Sequence, residues 1–451
     1  MDPTAPATTN IHPAALVFVL TAAALVFVLP RRFAFAPLLA SACYITVGQV
    51  VMVGPLDFTI HRILLLVGWV RILVRGEWDI ERLNMLDRII IVWAMVNLSA
   101  HTLLVGTVGA FINRLGFTYN ALGFYFLFRV LIVDTEDIGW LYRSLAVLLI
   151  PLAFAMLFEN LHGRNLFAVF GGVPAEALVR DGEVRAQAAF RHPILAGSLG
   201  ATSIPLLLSL WWDDGTPRLL VGLGLTAACA VTLLPSSSGP IMTMVAGVGA
   251  MLAWRVRYRL WVFRWATLAG LLGLQLVMNA PIWFLIDRVG DLLGGEGYHR
   301  SLLIDQAVRH LDEWWLLGTT RTAHWMPFVL PINPDMADIT NYYLRMGVDG
   351  GLATMALFVL LITAAFRVVG RTTSILDGRG AAFGAKIRIW ALGAALTGHV
   401  FAFISVSYFD QIVMFWYLLL ALIATTDDIG KKVTSKKKDV MRTADSESEE
   451  R

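Results

Sequence analysis

The sequence predicts an all-α polytopic membrane protein with about 12–13 transmembrane helices and two large external loops, the second of them partly helical. Of its 451 residues, 57% are hydrophobic and only 15% are charged, and the mean hydropathy is +0.68. A water-soluble domain is much less apolar than this. The chain also divides into apolar runs, most of them close to the ~20 residues that a bilayer requires.

The first apolar run follows a polar segment that lacks the basic region of a secretory signal, so we interpret it as a spanning helix. The predicted spans lie at about 14–29, 33–54, 57–74, 87–110, 116–134, 140–157, 189–211, 218–234, 240–254, 262–286, 340–366, 387–405 and 408–425. Residues 1–425 are therefore predicted to form one multi-spanning membrane domain. Residues 426–451 are rich in lysine, serine and glutamate, and we expect a disordered, charged cytoplasmic tail.

Basic residues beside short loops indicate which side of the membrane is cytoplasmic. Arg31 and Arg32 mark the first loop, and all six lysines lie in the loop before residue 387 or in the C-terminal tail. Counting spans from these marks makes the loops at about 158–188 and 287–339 external. The sequence thus predicts a cytoplasmic C-terminus.

Both external loops carry arginine and no lysine. The arginines in or beside these loops are Arg164, Arg180, Arg185, Arg191, Arg288, Arg300, Arg309, Arg321 and Arg345. Solvated loop charge is one explanation, because long loops are largely exempt from the charge rule. The planar guanidinium fork, however, matches phosphate oxygens better than an ammonium group does. We therefore interpret the set as a binding surface for an anionic, pyrophosphate-bearing substrate.

Two short motifs lie at the external ends of spans. Arg191 and His192 precede Pro193 at the mouth of a helix, where a phosphate could approach the helix start, although proline in a first helical turn is also ordinary capping. Ser237 and Ser238 lie in a tight turn whose hydroxyls could donate to a phosphate or sugar, although such a turn is often only a turn.

The second loop offers further candidates. An amphipathic helix is predicted over about 300–312, next to His299 and carrying Arg300. Thr340 and Asn341 open the next span, where capping is the simpler explanation. Arg345 lies inside that span, and Asp349 is its expected partner at i+4.

Other chemistries are not supported. The cysteines, Cys43 and Cys229, lie in apolar runs, and no zinc, P-loop or serine-hydrolase motif is present, so we predict no metal and no cofactor. No nucleic-acid partner is expected. Polar residues in or beside other spans are interpreted as helix-to-helix hydrogen bonds; they are His61, Arg62, His101, His399, Asp410 and Gln411.

The order of four motifs resembles a known family. They are FRHPILAG from Phe190, TLLPSSSGP from Thr232, LLGTT from Leu316 and TNYYLRMGVDGGL from Thr340. Over about residues 90–425, the chain resembles the O-antigen ligase and O-antigen polymerase superfamily of the bacterial inner membrane.

The resemblance implies a metal-independent glycosyltransferase that takes glycan from undecaprenyl pyrophosphate and passes it to a glycan or lipid acceptor. Membrane lipids and other polysaccharide assembly proteins are the further partners expected. It implies catalytic roles for Arg191, Arg300, Asn341 and His299, with both arginines holding the pyrophosphate. The predicted substrate-binding residues are His192, Arg185, Arg288, Arg321, Arg345, Ser237, Ser238 and Thr340.

The chain departs from the family pattern at two positions. Thr340 stands where the family has histidine, and Ser238 where it often has arginine. The general base therefore stays open among several residues: His299, His310, His324, Glu313 and Asp338. A secondary transporter or exporter, and a non-catalytic component of an exopolysaccharide assembly system, are the alternatives.

Overall fold

The computed structural model describes residues 9–54, 56–80, 82–292, 297–327, 329–330 and 333–449. Within them the chain is mainly helical, and its strands form short antiparallel hairpins. The all-α membrane class is therefore confirmed. Seven helical segments of the described chain are long and apolar enough to cross a membrane: Met85–Val105, Thr135–His162, Pro193–Trp212, Ser238–Val277, Tyr342–Asp377, Phe383–Ser405 and Ile412–Lys431.

The N-terminal half alternates helices with two hairpins. Its helices are α1 (Pro13–Val28), α2 (Ala36–Tyr44), α3 (Ile60–Arg75), α4 (Met85–Val105), α5 (Val108–Leu131), α6 (Thr135–His162), α7 (Pro193–Ser209) and α8 (Arg218–Leu233). Its strands are β1 (Val50–Val53), paired with β2 (Leu56–Thr59), and β3 (Leu178–Arg180), paired with β4 (Glu183–Arg185).

The C-terminal half contains the second long loop and the last three long helices. Its helices are α9 (Ser238–Leu252), α10 (Leu260–Val277), α11 (Leu285–Leu292), α12 (Gly297–Arg309), α13 (Leu311–Trp314), α14 (Tyr342–Asp377), α15 (Phe383–Ser405) and α16 (Ile412–Glu449), and its strands are β5 (Val329–Leu330) and β6 (Asn333–Ala337). The amphipathic helix predicted at about 300–312 is α12. Helix α16 extends through most of the tail that the sequence predicts as disordered.

The apolar run at 33–54 is not the single helix predicted for it. Helix α2 has nine residues, about 13 Å of rise, and extended chain and the β1–β2 hairpin follow. Such backbone is tolerated at membrane depth only where protein surrounds it. Ile45, the first residue after α2, meets that condition, because it is buried and its carbonyl accepts a hydrogen bond from Gln411 Nε2 (3.3 Å).

Helix α7 lies at the centre of the bundle and packs against α8, α9 and α15. Small residues allow this close packing. A Cβ on Gly197 would come within 2.6 Å of Pro240, and one on Gly200 within 2.7 Å of the Ala228 carbonyl oxygen. The start of α7 is therefore fixed relative to the start of α9.

Helix α14 is broken about two turns after its start. Gly350 and Gly351 have non-helical dihedral angles, and Gly351 has φ +77°. The turn after α13 fills the break: Thr319 N–H donates to the Val348 carbonyl (2.9 Å), and Leu352 N–H donates to the Trp315 carbonyl (2.8 Å). The second long loop is thereby attached to α14.

This break predicts a sharp effect of one methyl group. In Gly351→Ala, the new Cβ would lie 2.1 Å from the Leu316 carbonyl oxygen, in a backbone region that is essentially restricted to glycine. We expect the free energy of unfolding of this variant in detergent to be at least about 2 kcal/mol lower than that of the wild type.

The matched control is Gly370→Ala in the same helix, where a Cβ meets nothing within 4 Å. It should leave stability unchanged or raise it by up to about 1 kcal/mol. Equal stability of the two variants would contradict this account of the break.

Candidate functional site

A cavity of about 1000 Å³ lies at the end of the bundle where α7, α9 and α14 begin and where the chain passes from α15 to α16. The start of α3, the first two-thirds of α5, both N-terminal hairpins and α12 also contribute to its wall. Segments far apart in the sequence therefore build one site. The predicted residues that line it are Arg185, His192, Ser237, Ser238, His299, Arg300, Thr340 and Arg345.

Four of the predicted residues are not among those lining the cavity: Arg191, Asn341, Arg288 and Arg321. The last two are exposed. The side chain of Asn341 is used for capping, because its Oδ1 accepts a hydrogen bond from the Leu344 N–H at the start of α14 (3.1 Å). The capping role predicted for Asn341 is therefore confirmed, and the catalytic role that the resemblance implies stays a prediction.

Arg191 lies at the edge of the cavity. Its side chain is 60% exposed, and its guanidinium Nη1 is 3.6 Å from Asp410 Oδ2. Asp410 itself lines the cavity. The predicted arginine therefore contacts the site through a carboxylate that the sequence analysis did not assign to it.

Asp410 combines several unusual features. It lies in the turn between α15 and α16 with φ +56°, a conformation that aspartate tolerates better than most residues. Burial raises the pKa of its carboxyl, although the charge of Arg191 acts in the opposite direction. Its buried Oδ2 has no hydrogen-bond partner among the described residues. Strain and a raised pKa in a cavity wall are typical of a functional residue.

His192 is a neutral hydrogen-bond donor. Its Nδ1 accepts from the Ile194 N–H (3.2 Å) at the start of α7, so in the neutral ring the proton is on Nε2. Burial, and after it the charge of Arg185, lowers the pKa of His192 to about 4. The imidazole is therefore uncharged at neutral pH, and Nε2–H is available as a donor.

A buried ion bridge supports the base of the cavity. Asp349 Oδ2 pairs with Arg345 Nε (3.0 Å) and with Arg114 Nη2 (3.0 Å), so the partner predicted for Arg345 is confirmed. The carbonyl of Asp349 is also 3.1 Å from His101 Nδ1. This bridge joins α4, α5 and α14 directly below the site.

Formal charges in the cavity wall nearly balance. Its described residues include six arginines and six carboxylates, and some of the carboxylates are paired, as Asp57 is with Arg62 (2.7 Å). Affinity for an anion would therefore depend on the direction of individual donors rather than on net charge.

Several polar atoms in the wall have no hydrogen-bond partner among the described residues. They are Arg114 Nε, Thr340 Oγ1, Tyr342 Oη, Asp410 Oδ2 and Gln411 Oε1. Buried polar groups are normally paired, so such a concentration marks a place where a ligand or water completes the bonding. Aromatic rings form the adjoining core, where Tyr342 packs against Phe403 and Tyr408.

Sequence reasoning misjudged Asp410, which lies in a turn and lines the cavity rather than joining two helices. Arg62 also lines the cavity, but its predicted helix-to-helix hydrogen bond is present, since Arg62 Nε donates to Asn120 Oδ1 of α5 (3.2 Å). His399 and Gln411 are hydrogen-bonded as well, to Tyr408 Oη (2.8 Å) and to the Ala189 carbonyl (2.7 Å), although both partners lie outside helices. Asp410 differs from His399 and Gln411 in its left-handed backbone conformation, and this conformation cannot be recognised from the sequence.

A scan against models of known protein families finds no match for this chain, and a search of curated proteins also finds none.

The ion bridge predicts a large effect for Asp349→Asn. Removing the charge leaves Arg114 buried without its counter-ion, and this change typically costs about 3–5 kcal/mol. The measurement is thermal unfolding in detergent. Asp181→Asn is the control, because Asp181 pairs with Arg180 at 3.5 Å but is 89% exposed, and such pairs contribute little. Similar thermal unfolding midpoints for the two variants would show that the ion bridge does not stabilise the fold.

A second prediction concerns pH. Because the pKa of Asp410 is raised in the folded protein, ionising its carboxyl lowers the stability of the fold. The full loss of stability is present above the folded-state pKa, and none is present below the unfolded-state pKa of about 3.9. Asp410→Asn should therefore be more stable than the wild type at neutral pH, with the difference shrinking as pH falls towards 4. Midpoints measured across pH 4–8 test this, and a less stable variant at pH 7.5 would contradict it.

Proposed function

We propose that this protein transfers or polymerises glycan from a polyprenyl-pyrophosphate carrier at the outer face of a bacterial inner membrane. The motifs resembling O-antigen ligases and polymerases support this proposal, and three of them contribute to one cavity through His192, Ser237 and Arg345. The observation that carries it is this cavity, which combines several guanidinium groups, a neutral imidazole donor and a carboxylate of raised pKa.

The proposed topology has 13 crossings, with α2 and the extended chain after it counted as one. Lysines support the orientation. Lys386 pairs with Asp377 (3.1 Å) at the end of α14, and Lys431 pairs with Asp427 (2.6 Å) at the end of the candidate span Ile412–Lys431, both away from the helix ends that line the cavity. Because lysine marks the cytoplasmic side, the C-terminus is cytoplasmic in this proposal and the cavity faces outward.

The pyrophosphate would bind where helix starts and arginines meet. Helices α7 and α9 begin in the cavity wall, and their dipoles favour an anion there. Ser237 at the start of α9 makes no capping hydrogen bond with its side chain, so its hydroxyl is available as a donor. Arg185 and Arg300 line the same wall, and His192 would add its Nε2–H.

The chemical step would be a direct displacement. The acceptor hydroxyl transfers its proton to the Asp410 carboxylate while its oxygen bonds to the anomeric carbon. The bond between that carbon and the pyrophosphate oxygen breaks, and its electron pair leaves with the pyrophosphate. The arginines stabilise the charge that develops on the leaving group, and a carboxylate with a raised pKa is the better base.

The alternative of a transporter is less well supported. Transporters place their ionisable residues at the bilayer midplane, on broken helices that form a binding site open alternately to the two sides of the membrane. Here the charged groups of the cavity lie at one end of the bundle, and the break in α14 is filled by the turn around Gly318. This arrangement favours chemistry at the membrane surface.

The function is tested by complementing a gene deletion. Loss of the protein should remove long-chain surface glycan and cause the lipid-linked precursor to accumulate. We expect Asp410→Asn to lower transfer about 10²–10⁴-fold, as removal of a general base does, and Arg300→Ala about 10²–10³-fold, as loss of a charge-stabilising donor does.

Arg288→Ala is the matched control, since Arg288 is an exposed arginine of the same loop outside the cavity wall, and it should restore the glycan fully. Full restoration by Asp410→Asn and Arg300→Ala would refute the site. Absence of precursor in the deletion strain would refute the function.

A further inference from the structure

Three potential metal ligands come together on the second long loop, outside the cavity wall. They are His310, Glu313 and His324, and one ligand atom from each lies within 4.8 Å of the others. His310 is half-buried and the other two are exposed. The cluster joins the start of α13 to the turn at Ala323–Trp325.

Hydrogen bonds already orient two of these side chains. His310 Nδ1 is 2.9 Å from the Gln306 carbonyl, which can only accept, so Nδ1 carries a proton and Nε2 of the neutral ring has a free lone pair. Trp325 Nε1–H donates to Glu313 Oε2 (3.1 Å). Metal-binding imidazoles and carboxylates are typically held in this way by their outer neighbours.

The third ligand faces the second. His324 Nε2 is 3.0 Å from Glu313 Oε1, which is close to the separation of about 3.4 Å between two ligand atoms of a tetrahedral zinc ion. The His310 and His324 rings meet edge to face with their centres 5.0 Å apart. Small side-chain rotations would bring all three donors to one ion.

We propose that His310, Glu313 and His324 bind a zinc-class divalent metal ion. Two imidazoles and one carboxylate are ligands that suit Zn²⁺, and the exposed side of the cluster leaves a fourth position for water. The spacing, two residues and then ten between ligands, matches no short zinc motif, and this explains why the sequence predicts no metal here.

A metal at this position would act as a clip on the loop. It would cross-link Glu313 to His324. The segment between these two residues contains the turn that packs into the break of α14. Gly318, at the centre of this segment, lies so close to α14 that a Cβ would be 2.1 Å from the Val348 carbonyl oxygen. Binding should therefore stabilise the loop against α14.

The test measures zinc binding to the full-length protein in detergent, purified without a histidine tag and stripped with a chelator. Competition with a chromogenic zinc indicator gives stoichiometry and affinity. We expect one zinc ion per chain and a higher unfolding midpoint with zinc, reversed by chelator. His310→Ala and His324→Ala should lose this ion.

Trp325→Phe keeps an aromatic ring but removes the N–H that donates to Glu313, and it should weaken zinc binding about 10-fold or more. His162→Ala is the control, because His162 is an exposed histidine at the end of α6, and it should bind as the wild type does. Wild-type protein without bound zinc would overturn the proposal, as would unchanged affinity in both His310→Ala and His324→Ala.

Discussion

A single buried carboxylate connects the parts of the chain that build the cavity. Asp349 pairs with Arg345 of its own helix and with Arg114 of α5, and the two guanidinium groups offset the cost of burying its charge. Immediately after it, α14 breaks at Gly350 and Gly351. The ion bridge and the break therefore fix the helical frame and the second long loop against each other.

This connection explains how a loop can supply binding groups with defined positions. The turn around Gly318 is hydrogen-bonded into α14, so α12, which carries His299 and Arg300, is separated from a rigid element by only a few residues. Binding groups on such elements are held more precisely than groups on free loops. The clip proposed between His310 and His324 would act on the same segment.

The sequence predicted those features that depend on local spacing. Arg345 and Asp349 lie one helical turn apart, and apolar runs of span length became helices. It failed where distant segments decide the outcome. Arg114 comes from a helix more than 200 residues away from Asp349, and the run at 33–54 is extended in part because the bundle, through Gln411, satisfies its backbone.

The most direct test of the proposed site is reagent access to Ser237→Cys, in a chain whose Cys43 and Cys229 have been replaced by alanine. An outward-facing cavity that binds polyprenyl pyrophosphate predicts labelling by a membrane-impermeant maleimide in spheroplasts, and protection when polyprenyl pyrophosphate is added. Labelling only after the membrane is permeabilised, or labelling that the lipid does not change, would contradict the account.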